Sequence, residues 1–231
     1  MTDPLLPSAA IHVAIDRQLL DACAALQLLI AFAMLAQRRI VSLVNLLAAQ
    51  GAVLAAATLL LAWRTGQGHL YVSGVLTLAL KVAFLPWLLH RLIDRLEVRF
   101  DAEPALNVSG NLLAGLLVVV FAFGLAQPIT HLASTAMRNA IGIALGVVLL
   151  AFLTMITRRK AISQVIGFLS MENGLFFGAM SATYGMPMVV ELGVALDVLV
   201  AMLVLGVFFF QIREQFDSLD LHHLESLGER R

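Results

Sequence analysis

Seven apolar runs, each close to twenty residues long, restrict what this chain can fold into. They cover about 17–37, 40–63, 69–91, 108–127, 133–157, 161–184 and 187–212. A helix rises ~1.5 Å per residue, so ~20 apolar residues cross the ~30 Å hydrocarbon layer of a bilayer. The runs do not alternate, and they are too long for the ~10-residue strands of an outer-membrane barrel. Of the 231 residues, 61% are hydrophobic and 13% charged, more apolar surface than one water-soluble core of this size can hide. The sequence therefore predicts an all-α, polytopic membrane helical bundle with about seven transmembrane helices. The connections are short (37–40, 64–68, 127–132, 157–160 and 184–187), and only 94–107 is longer. The N-terminal segment lacks the basic n-region and cleavage site of a secretory signal and reads as a retained lead into the first span.

Basic residues set the expected orientation. With the N-terminus outside, Arg38, Arg39, Arg91, Arg95, Arg99, Arg158, Arg159, Lys160, Arg213, Arg230 and Arg231 fall on the cytoplasmic side, and Arg17, Arg64 and Arg138 outside. The expected topology is N-out/C-in, in a prokaryotic plasma membrane. Lysine plus arginine equals aspartate plus glutamate at 15 each, which leaves no basic surface for nucleic acid. A single cysteine, Cys23, cannot supply an internal disulfide, a CxxC zinc site or an iron–sulfur ligand set. His222 and His223 are adjacent, without the i, i+4 spacing of helical metal ligands. No phosphate loop or Ser–His–Asp set is present. The expectation is a chain with no catalytic residues, cofactor or metal of its own.

Four ionisable side chains lie inside spans: Lys81, Glu172, Glu191 and Asp197. A charge at mid-bilayer costs ~2.5–3.5 kcal/mol on insertion scales, so each needs a partner, a cavity or a proton exchange that removes it. Glu172 lies ~16 Å into the sixth span, near the midplane. Its helix face carries Val165, Phe168, Leu169, Phe176 and Ala179, which solvate it poorly and suit it to reversible protonation. The structural alternative is a hydrogen-bonded glutamate, or one paired statically with Lys81. Glu191 and Asp197 are ~240° apart around their helix and cannot face one neighbour. Pro86 cannot donate to the carbonyl of Val82, so a kink there would place a polar pocket beside Lys81, or be merely a tolerated bend. Asn45, Gln50 and Thr58 read as interhelical hydrogen-bonding groups, and Gly142/Gly146 and Gly174/Gly178 as close-contact pairs.

At the sixth span the sequence resembles a known family. Ser-Met-Glu-Asn-Gly at 170–174, the following Leu-Phe-Phe-Gly, the stretch from Glu191 through Asp197, and the tail from Arg213 are similar to the hydrogenase-4 component E family. Residues 133–212 also resemble the small K subunit of bacterial complex I. The resemblance implies a division into a four-span region (1–132), a K-subunit-like three-helix region (133–212) and a cytoplasmic tail (213–231). It implies a non-catalytic subunit in the membrane arm of a complex I-like hydrogenase, with its nickel–iron (NiFe) centre and iron–sulfur clusters on partner subunits. The expected partners are antiporter-like and other membrane-arm subunits, soluble hydrogenase subunits on the cytoplasmic side, and the bilayer. Glu172 matches the first membrane glutamate of the K subunit and Glu191 the second; Asp197 is outside that pattern. Proton or ion relay is thus expected from Glu172, Glu191, Asp197 and Lys81, with the helix kink at Pro86. An independent small-solute or ion transporter and a purely structural scaffold are the alternatives.

Overall fold

The computed structural model describes residues 6–96, 107–127 and 135–183, together with the single positions Gly193, Leu199, Met202 and Gly206. Every regular element among them is a helix: α1 (Leu6–Ala36), α2 (Ile40–Thr65), α3 (Gly68–Thr77), a π-helix (Leu78–Phe84), α4 (Leu85–Leu96), α5 (Val108–Ala126), α6 (Thr135–Thr157) and α7 (Ala161–Thr183). Because α3, the π-helix and α4 run on without a break, they make one span. Six helical segments among the described residues are long and apolar enough to cross a membrane, from Gln18–Ala36 to Ala161–Thr183. The chain is a multi-pass membrane protein. Apart from those four single positions, the seventh run, 187–212, with Glu191 and Asp197, and the tail 213–231 lie outside the described residues.

Local chemistry sets the helix ends. Gly66 takes φ +65°, a left-handed backbone that costs glycine nothing, and its N–H caps α2 on the carbonyl of Ala62 at 2.9 Å. Two residues later α3 begins, so α2 and the third span run antiparallel. At the far end of that span, α4 buries Leu85, Leu88, Leu89, Leu92 and Ile93 on one face, the i, i+3, i+4 spacing of an amphipathic helix. Its other face turns out Trp87 and Arg91, with the guanidinium 5.5 Å from the indole ring. Trp63, at the end of α2, and Trp87 thus sit towards opposite ends of the bundle, where indoles favour the two membrane interfaces.

Two apolar clusters knit the bundle. Ala24, Leu54, Leu70, Ala144, Phe176 and Met180 join α1, α2, α3, α6 and α7. Ala31, Leu35, Val119, Val147 and Leu150 join α1, α5 and α6. The glycine pair of α7 makes its contact: a Cβ on Gly174 would lie 2.9 Å from Val147 and one on Gly178 2.8 Å from Ala144, both in α6. Only glycine permits that approach. α5 is peripheral, with Leu113, Leu117, Val120 and Phe121 facing outward.

Arg158, counted from sequence among the basic residues of the cytoplasmic side, is buried. Its Nη2 donates to the carbonyls of Met34 (3.2 Å), Leu35 (3.3 Å) and Gln37. These are the last carbonyls of α1 and its exit, where the i→i+4 ladder runs out and Met34 O is met locally only by the Gln37 N–H at 3.3 Å. The contact brings the end of α1 and the end of α6 to the same side of the bundle, so the basic segments 37–40 and 157–160 share one face.

Candidate functional site

One polar cluster in the interior of the bundle holds opposite charges. Lys81 sits midway along the third span and Glu172 at the centre of α7, and both are buried. Lys81 Nζ donates to Glu172 Oε1 at 2.9 Å and to Asn173 Oδ1 at 2.9 Å. Its ammonium also lies 5.8 Å from the centre of the Phe176 ring, within cation–π range. Asn173 Nδ2 in turn donates to Gln50 Oε1 of α2 at 3.4 Å, and Gln27 Nε2 of α1 donates to the backbone carbonyl of Gln50 at 3.0 Å. Four spans therefore meet through five buried polar side chains.

Backbone geometry explains how Lys81 reaches this point. It belongs to the π-helix, whose wider i→i−5 register inserts an extra residue into the turn. The register closes with Leu85 N–H on the carbonyl of Leu80. The next bond in the series would start from Pro86, which has no N–H. In this register the bond that proline cannot make is to the carbonyl of Lys81, where an α register would have placed it at Val82. Gly51 of α2 lies against the same backbone: a Cβ there would be 3.0 Å from Lys81 Cβ and 3.4 Å from its carbonyl carbon and oxygen. Gly51→Ala should therefore push the third span off α2, costing about 1–3 kcal/mol. Thermal unfolding of the detergent-solubilised full chain reads this directly, and an unchanged transition would refute it.

Pairing settles the electrostatics of this interior. An isolated ammonium or carboxylate here would carry a desolvation penalty of several kcal/mol, and the 2.9 Å contact offsets much of it for both. Asn173 spreads the ammonium's donors over a second acceptor. The arrangement holds a charge pair inside the bundle, with Asn173 as a second acceptor for the ammonium.

The remaining sequence-selected groups are dispersed. Thr58 Oγ1 donates to Leu54 O of its own helix at 2.9 Å and lies 3.2 Å from Met180 Sδ. Asn45 faces outward, whereas Gln50 makes the interhelical bond. Sequence reasoning passed over Gln27 and used Asn173 only as part of a motif. On the third span, Ser73, Thr77 and Lys81, spaced i, i+4, i+8, are buried and lead to the pair.

Fold and site together define a multi-pass helical membrane protein with an ion pair in its interior. Over 194 residues, 84% of this chain and 88% of the other, it is 39% identical to the uncharacterized protein Rv0085 of Mycobacterium tuberculosis. The chain belongs to the same family as that protein. It is also 32% identical over 116 residues to hydrogenase-4 component E of Escherichia coli K12, a match covering 50% of this chain and 53% of that one. The component E of Shigella flexneri gives the same figures. The chain is thus a distant homologue of hydrogenase-4 component E across half its length. No family model matches it, and no solved structure does.

Proposed function

We propose that this chain is a non-catalytic membrane-arm subunit of a complex I-like hydrogenase of the hydrogenase-4 or formate hydrogenlyase type. In this reading Lys81 and Glu172 relay a proton or cation whose movement is coupled to electron transfer on partner subunits. The observation that carries it is the buried Lys81–Glu172–Asn173 contact at the centre of two apolar spans, in a distant homologue of component E. A proton reaching Glu172 removes its charge, weakens the pair and leaves Lys81 held by Asn173. Its departure restores the pair. Two charges a few ångströms apart in low dielectric make that alternation energetically large, so the state of the pair can bias its neighbours.

The reading places seven spans in a prokaryotic plasma membrane, N-out/C-in, with Glu191 and Asp197 of the seventh as further relay candidates. The division at 132/133 and the tail beyond 212 keep the roles that the sequence gives them. The NiFe centre and iron–sulfur clusters belong to partner subunits. Affinity purification of the full chain from native membranes tests the assignment. A nickel–iron large subunit and antiporter-like proteins should co-purify, whereas a chain recovered alone and active in transport would overturn it.

The tail is the expected anchor for soluble partners. Phe216, Leu219, Leu221, Leu224 and Leu227 alternate with Asp217, Asp220, Glu225 and Glu229. Those acids would be repelled by an anionic leaflet, while a basic protein surface would accept them. Deleting 216–231 should leave the membrane spans inserted and release the hydrophilic subunits at raised salt. Full retention of those subunits would refute the anchor.

A further inference from the structure

The hydrogen-bond polarity of the cluster is forced from one end. Lys81's ammonium can only donate, so Asn173 must turn its Oδ1 to it and its Nδ2 away. Asn173 Nδ2 then donates to Gln50 Oε1, which aims Gln50 Nε2 onward. Rotating the Gln50 amide would set donor against donor. Gln27 is committed similarly: its Nε2 donates to Gln50's own carbonyl, so its Oε1 is the end left over. Among the described residues, neither Gln50 Nε2 nor Gln27 Oε1 has a hydrogen-bond partner, and both side chains are 0% exposed. One end is a donor and the other an acceptor, on two side chains tied together through the Gln50 backbone.

Leaving both unsatisfied costs the desolvation of a buried donor and a buried acceptor. A single water between them would answer both, accepting from Gln50 Nε2 and donating to Gln27 Oε1. Its second hydrogen and remaining lone pair are then available for continuation. We infer that Gln27 and Gln50 form a binding site for a structural water, which extends the hydrogen-bonded chain from Glu172 and Lys81 through Asn173 and Gln50 into α1. Amide groups do not titrate, so water is the member of this branch able to accept or release a proton. The branch rests on the relay reading only for its starting point: it carries hydrogen-bond polarity from the pair to the α1–α2 contact, while the amides of Asn173 and Gln50, which do not titrate, stop it from conducting a proton.

A cryo-electron microscopy map of the full chain in its native complex, at a resolution that shows ordered water elsewhere, tests this. Density within hydrogen-bonding distance of both Gln50 Nε2 and Gln27 Oε1 is expected. Gln27→Leu should remove that density while the Lys81 contacts to Glu172 and Asn173 persist. Direct Gln27–Gln50 side-chain contact with no density between them, or density unchanged in Gln27→Leu, overturns the water site. If Gln27→Leu does not assemble, the wild-type map decides alone. The relay reading fails separately: water present in the map, with ion coupling intact in Glu172→Gln, rejects the relay and leaves the water site standing.

Discussion

Glu172→Leu should destabilise the bundle by about 3–5 kcal/mol, the usual cost of stranding one member of a buried charge pair. The ammonium of Lys81 would keep Asn173 and the Phe176 ring but lose its counter-charge. Lys81→Met added to that variant should restore most of the loss. The double variant removes both charges and buries apolar groups of similar volume, which in other proteins is neutral or stabilising. A double-mutant cycle on the full chain in detergent, read by thermal or denaturant unfolding, measures the coupling between the two residues. Additive losses would show that the pair does not contribute as a pair. Near-complete recovery would show that stability does not require the charges, so that their presence in the spans needs another explanation.

A comparable effect is expected at Arg158→Met. One nitrogen of this buried guanidinium serves three backbone carbonyls at the end of α1 and its exit, where the helix dipole is negative. Removing it takes the charged donor from the Leu35 and Gln37 carbonyls, leaves Met34 O with only the Gln37 N–H at 3.3 Å, and unties α1 from the end of α6. The expected loss is about 2–3 kcal/mol, from charge-assisted hydrogen bonds and the helix-end interaction together. Arg158→Lys should recover only part of it, because a compact ammonium on a thinner stem cannot spread over the same carbonyls. Protease sensitivity of the 37–40 segment in membranes reads the local effect. Unfolding in detergent reads the global one. Wild-type values in both for Arg158→Met would contradict this role.

These two sites show what a sequence can reveal of such a protein. The spans were legible because an apolar run of twenty residues has few other uses. Lys81 and Glu172 stood out for the same reason, since charge in such a run is expensive. Their pairing could be named as one possibility, but not chosen, because spans three and six have no fixed neighbours until the bundle packs. Gln27 and Asn173 gave no comparable signal: an uncharged amide in a span is common and usually bonds to whatever is nearby. Arg158 was counted in the sequence only as a basic residue at the edge of an apolar run, and only the end of α1, distant in sequence, shows that it is a buried cap. At Pro86 the missing donor was evident, but the π register that moves the unmade bond from Val82 to Lys81 leaves no mark in the sequence.

The relay itself is tested most directly by ion movement in sealed membrane vesicles that contain the assembled complex, driven by its own redox reaction. Glu172→Gln keeps the shape of the side chain and its capacity to accept from Lys81, but removes the group that titrates. With subunit content equal to wild type, gradient formation should fall by on the order of tenfold or more. A Glu172→Gln complex that is fully assembled and builds the wild-type gradient would contradict the relay.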